Sequence, residues 1–183
     1  MVLGYIGFGE AAFEMSTGLR GEGLKDIVAF DNMIEHPVFG PQIKNRAGLS
    51  AVKLLPSAAE VIAASDLVMV AVPASVTLHT CETIAEYFRP GQLYVDLTAA
   101  SPVKKAAALL AGKYGADFVD AAMMGVLPKF KHKVPILASG AGAARFFETM
   151  SPYGMKIEIV GDEPGAASGI KLVRSLCMKG MAA

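Results

Sequence analysis

Apolar positions fall into short unbroken runs that alternate with longer stretches repeating every three to four residues. Residues 3–6 form a first strand, ended by Gly7. A helix over 10–20 follows, with Ala11, Ala12, Met15 and Leu19 on one stripe, until Gly21 and Gly23 stop it. Residues 27–30 are a second strand, apolar throughout as for a strand covered on both faces. The stretch 32–50 holds Pro37, Gly40, Pro41 and Gly48 and reads as loop with at most a short helix. A weak strand at 52–55 precedes a helix at 58–65, whose N-cap is Ser57 with Glu60 at capping-box spacing. Strands at 67–72, 93–97, 118–122, 134–138 and 157–160 alternate with helices at 76–88, 103–114 and 143–150. Alternating strand and helix predicts an α/β fold, with parallel strands joined by crossover helices.

The last segment, 165–183, reads as a helix with Ile170, Val173, Leu176 and Cys177 on one side. It stops in mid-pattern without a glycine cap or polar tail, as if it leads into a further domain. The expected division is therefore one α/β domain at 1–164 and the start of an interdomain helix at 165–183. Composition agrees with a packed core. The AVILMFWYC set makes up 53 % of the 183 residues and charged residues 19 %, the reverse of what disorder requires. Mean hydropathy is +0.44, so part of that apolar content is expected on a surface that something else covers.

Seventeen basic residues balance seventeen acidic ones, which gives no pull toward nucleic acid or an anionic membrane. No apolar run approaches the roughly 20 residues of a membrane helix, and no signal-peptide pattern opens the chain. A cytoplasmic setting is expected. Two cysteines, Cys81 and Cys177, are too few for a disulfide framework and read as buried, inert thiols. His36, His79 and His132 share no ligand spacing, so no metal is expected. The basic run from Lys129 to Lys133 reads as a loop between strands, either solvated or able to attract an anion.

The first strand runs directly into Gly7-Phe8-Gly9-Glu10-Ala11-Ala12, a Gly-x-Gly-x-x-Ala turn that opens a helix. Gly7 permits the bend, Gly9 lets main chain approach a pyrophosphate, and Ala12 allows close helix–strand packing. The free N–H groups at the helix start favour an anion. Asp31 ends the second strand roughly 20 residues after the turn, where a carboxylate accepts from ribose hydroxyls and repels a 2′-phosphate. No Arg or Lys follows in 32–35, which favours NAD over NADP. A turn that only packs, and an S-adenosylmethionine-dependent methyltransferase, are the competing readings. The third-position alanine and the lack of a Gly-x-Gly-x-Gly run count against the methyltransferase.

Taken together, these pieces resemble the cofactor domain of the β-hydroxyacid dehydrogenases, the family of 3-hydroxyisobutyrate and 6-phosphogluconate dehydrogenases. The resemblance covers nearly the whole chain and implies a Rossmann dinucleotide-binding domain at 1–164, a doubly wound, mostly parallel sheet with extra strands toward the C-terminus. It rests on the glycine turn, Val70-Ala71-Val72-Pro73, Asp96-Leu97-Thr98-Ala99-Ala100-Ser101-Pro102, Asp120-Ala121-Ala122 and Gly169-Ile170-Lys171. It is most similar to a less characterised, phosphogluconate-dehydrogenase-like branch. The resemblance implies a general acid/base at Lys171 and cofactor contacts at Gly7, Phe8, Gly9, Glu10, Ala11, Asp31, Val72, Pro73 and Thr98. It further implies substrate contacts at Thr98, Met124, Gly125 and Ser175, a small hydroxy acid as substrate, and a homodimer built through a helical domain. Three departures bear on the substrate: Ser175 stands where relatives carry Asn, Met124-Gly125-Val126 where they carry Ser-Gly-Gly, and Ala99 where they carry Thr. Two functions stay open, an NAD-dependent dehydrogenase and a module that holds NAD without turnover.

Overall fold

The structure is a computed structural model and describes residues 1–98 and 103–180. Ala99, one of the three departures, and residues 181–183 of the expected terminal helix lie outside the described residues. Among those described, eight strands make one sheet: β1 (Leu3–Ile6), β2 (Ile27–Phe30), β3 (Lys53–Leu54), β4 (Leu67–Val70), β5 (Leu93–Asp96), β6 (Asp117–Met123), β7 (Pro135–Ser139) and β8 (Lys156–Gly161). Their order is β3-β2-β1-β4-β5-β6-β7-β8. All neighbours are parallel except β6 and β7, which pair antiparallel with Asp120 opposite Ser139. This is the α/β sheet that the alternation predicts, in the Rossmann arrangement that the resemblance implies.

Helices α1 (Glu10–Gly21), α2 (Phe39–Leu49), α3 (Ala58–Ala64), α4 (Thr77–Ile84), α5 (Lys104–Lys113), α6 (Leu127–Phe130), α7 (Ala143–Met150) and α8 (Ala166–Gly180) cover the sheet. The two-residue period of the strands builds two cores. Leu3, Tyr5, Leu67 and Met69 face Met15, Leu19 and Phe146 on one side. Ile6, Val68 and Val70 face Val61, Ile62, Cys81, Ala107 and Ala111 on the other. No helix among the described residues is long and apolar enough to cross a membrane.

Three local expectations are corrected. The segment taken as loop with at most a short helix contains the eleven-residue α2. Pro41 sits in its first turn, where the missing N–H would have had no intrahelical partner, and Ile43 and Ala47 are buried in the core. The basic run is not a loop, although Lys129, Lys131 and Lys133 are exposed: α6 and a 3-10 turn at Lys131–Lys133 pack on α1. His132 of that turn is buried against Gly18, where a β-carbon would collide with its ring, and Lys133 pairs with Glu22 at 2.7 Å. Cys177 is exposed rather than buried, whereas Cys81 is buried. For the basic run the reason is a contact with α1, an element far away in sequence.

Candidate active site

In the order β3-β2-β1-β4-β5, the chain leaves β1 and β4 toward opposite faces of the sheet, which opens a crevice at their C-terminal ends. Gly7 bends there at φ +85°, and a β-carbon on it would stand 2.5 Å from the Ala71 carbonyl. Gly9 caps α1 without any side-chain hydrogen bond, and nothing lies within 4 Å of where its β-carbon would be. Ala12 is fully buried below. The crevice is a cavity of about 650 Å³ walled by Gly7, Gly9, Asp31, Val72 and Pro73, with Arg46 of α2 and His79 of α4 also on its wall. That volume suits a small-molecule ligand. An open glycine turn at a helix start suits a diphosphate, so the residues present fit a dinucleotide.

The other expected cofactor contacts stand differently. The Phe8 ring is buried against Tyr5, with centroids 6.2 Å apart, and its N–H donates to Asp31 Oδ2 at 2.7 Å. Met33 N–H donates to Asp31 Oδ1 at 2.9 Å. The carboxylate is therefore aimed at the turn by main chain and keeps its remaining lone pairs for a ligand. Glu10 and Ala11 form the first turn of α1. Thr98 does not wall the cavity and is buried beyond β5.

A second group of side chains gathers where α8 crosses β6 and β7. Ser168 fastens the helix: its N–H donates to Asp120 Oδ2 at 2.9 Å and its hydroxyl to Asp120 Oδ1 at 2.5 Å. Ala167 N–H donates to Ser139 Oγ at 3.1 Å. Lys171 lies one turn further on and is half-buried. Burial, first, and the nearby Lys104 charge, second, hold its ammonium below the ordinary lysine range, against the opposing pull of Asp120. Arg174 Nη1 donates to the Met124 carbonyl at 3.4 Å, which brings α8 over the Met124-Gly125 segment. Gly125 is exposed, and Ser175, one turn after Lys171, is exposed too.

Thr98 belongs to a buried polar cluster that the sequence reading does not identify. Its carbonyl and hydroxyl accept from Lys104 Nζ at 2.8 and 3.2 Å, and the hydroxyl also accepts from Thr77 at 3.0 Å. Lys104 is completely buried, 2.9 Å from Asp96 Oδ2 and 3.2 Å from Asp120 Oδ1. The contact with Asp96 Oδ2 is an ion pair without hydrogen-bond alignment. One signal for Lys104 was present: it shares the buried stripe of α5 with Ala107 and Ala111, at i, i+3 and i+7. Arg46 gives none, since the sequence pattern of its segment reads as loop with at most a short helix.

A family model, the NAD-binding domain of 6-phosphogluconate dehydrogenase, matches residues 2–157. An uncharacterized 28.5 kDa protein of Methanothermus fervidus is 30 % identical over 185 residues, covering 100 % of this chain and 67 % of that protein. A conserved hypothetical protein from Sinorhizobium meliloti has a TM-score of 0.90 and 31 % identity over 99 % of this chain. A conserved protein of unknown function, described as structurally similar to 3-hydroxyacid dehydrogenases, has a TM-score of 0.85 and 32 % identity over 99 % of this chain. The chain spans 60 % and 66 % of the length of these two structures.

Proposed function

The chain belongs to the family of the NAD-binding domain of 6-phosphogluconate dehydrogenase, and from that premise we propose that it serves an oxidoreductase acting on the CH–OH group of a β-hydroxy acid. The observation that carries this reading is the open glycine turn beside the Asp31-walled cavity. When bound, the nicotinamide dinucleotide supplies the hydride acceptor. The N-terminus of α1, with its unpaired N–H groups and positive dipole end, holds the diphosphate. Asp31 accepts from ribose hydroxyls, which favours NAD.

Lys171 takes the proton of the substrate hydroxyl on its Nζ. A lysine in water, with a pKa near 10.4, is a poor base at neutral pH, and the half-buried site lowers it in the direction the role needs. Met124, Gly125 and Ser175 border the substrate, and two apolar or small neighbours support one less polar than phosphogluconate. The exposed Ile170, Val173 and Leu176 of α8 support burial against a helical domain and a homodimer formed through it. The neutral charge supports a soluble, cytoplasmic protein with neither nucleic acid nor membrane as partner.

Titration with NADH, followed by its fluorescence, is expected to saturate, and S-adenosylmethionine is expected to give no thermal shift. Lys171→Ala is expected to keep NADH binding and lose turnover, by about a hundredfold or more, against a panel of β-hydroxy acids. Undiminished turnover would remove Lys171 from the role, and absence of NADH binding would remove the redox assignment. A second reading, a module that holds the dinucleotide without turnover, draws on Thr98, whose hydroxyl is already engaged by Lys104 and Thr77. It is favoured if the whole protein binds NADH yet turns over none of the panel. Arg46 on the cavity wall is the group through which NADP would enter. NADPH binding as tight as NADH, lost in Arg46→Ala, would overturn the preference for NAD.

A further inference from the structure

Dinucleotide binding has no need of the cluster beneath α8. Lys104 stands between Asp96, which ends β5, and Asp120 of β6, and these two carboxylates are register partners on adjacent strands. Buried charges persist only when paired and hydrogen-bonded, and removal of one partner leaves the others uncompensated. Asp120 is shared, since Oδ1, the oxygen that faces Lys104, also accepts from the Ser168 hydroxyl, while Oδ2 accepts from the Ser168 N–H. Ser168 lies three residues before Lys171, on the same face of α8. Asp120 thus has two lysines within its influence, and Lys104 occupies it.

We propose that Lys104 is a positioning residue for Lys171: by engaging Asp120 it keeps that carboxylate from becoming the counter-ion of Lys171, and so leaves the Lys171 amine ready to accept a proton. The proposal rests on the reading of Lys171 as the acid/base. Without Lys104, a full carboxylate one turn below Lys171 would lock it as an ammonium. The charged groups bearing on Lys171 are Asp120 of β6, which packs against α8, and Lys104 of α5 behind it. Their opposite effects on its proton affinity agree in sign with this account. On α8 itself, Arg174 is turned to the Met124 carbonyl.

The test reads the Lys171 proton directly. Reductive methylation of the complete chain with 13C-formaldehyde gives each lysine an NMR signal, and Lys171→Arg identifies the one that matters. The paired variant Lys104→Met with Asp96→Asn removes one positive and one negative charge and leaves Asp120. Its Lys171 midpoint is expected to rise by about one pH unit. Asp120→Asn, which keeps an acceptor for Ser168, is expected to lower it. A structural role alone would loosen α8 in both variants and raise both midpoints, and that result, or no shift in either, overturns the proposal. If the paired variant does not fold, as judged by thermal unfolding, Asp120→Asn decides alone. The titration needs no substrate. Opposite shifts in a protein whose Lys171→Ala variant keeps its turnover would uphold the coupling and sink the catalytic role, and the converse result would do the opposite.

Discussion

At the scale of single residues, the same side chain meets opposite fates. Burial pushes the Cys81 thiol up to about 11, while Cys177 lies on the exposed side of α8. Since the thiolate is the nucleophile, iodoacetamide at pH 8 is expected to label Cys177 and spare Cys81, as read by mass spectrometry of the native protein. Rapid labelling of both would show that the α4–α5 side of the core opens. Glycines divide in the same way. Gly7→Ala forces a side chain into the left-handed region against a fixed carbonyl, and is expected to cost about 1–3 kcal/mol in denaturant unfolding and to weaken NADH binding. Gly21→Ala, at the end of α1 with open space around it, is the control and is expected to leave both unchanged or slightly improved. Sequence distinguishes Gly7 by its motif. It does not distinguish Gly18, whose constraint is the His132 ring brought in from the other end of the sheet.

Elements repeat the lesson. The cap of α3 is legible because both partners are three residues apart: Ser57 Oγ accepts from Glu60 N–H at 3.2 Å. Ser57→Ala is expected to cost about 1 kcal/mol, measured by chemical denaturation. The contact of α1 with the turn at Lys131–Lys133 is not legible, because it joins segments more than a hundred residues apart. There burial lowers the His132 pKa, and Glu22, the largest opposing influence, does not restore it. The unfolded chain, with His132 at the ordinary value of 6.5, therefore takes up the proton first. Stability is expected to be intact above pH 6.5 and to fall as pH drops below it. His132→Gln should flatten that part of the profile. Glu22, held below its ordinary 4.5 chiefly by Lys133, adds its own loss only at more acid pH. An unaltered profile in His132→Gln would place the transition elsewhere. In α2, the opposite error arises: Gly40 and Pro41 look like breakers, yet burial of Ile43 and Ala47 outweighs local propensity.

For the whole molecule, the order of strands makes the crevice, and α8 carries the second site. Its outer face leaves Leu172, Val173, Leu176 and Met178 more than half exposed. Replacement of Leu172, Val173 and Leu176 by Ser is expected to shift stability by less than about 0.5 kcal/mol each, because these side chains support nothing in the sheet. It should lower the binding of a hydrophobic dye. A drop of many degrees in melting temperature would show that the face is packed.

The residues alone settle what depends on near neighbours: the alternation of strand and helix, the glycine turn with its acid, and the capping box. Each is a spacing of a few positions, so it survives without knowledge of the rest of the chain. Which charges share an interior is a different matter. Lys104, Asp96, Asp120 and Ser168 meet through two adjacent strands and two helices, and Arg46 reaches the cavity only once α2 folds. Their electrostatics follow from distance and burial, and both are properties of the assembled sheet.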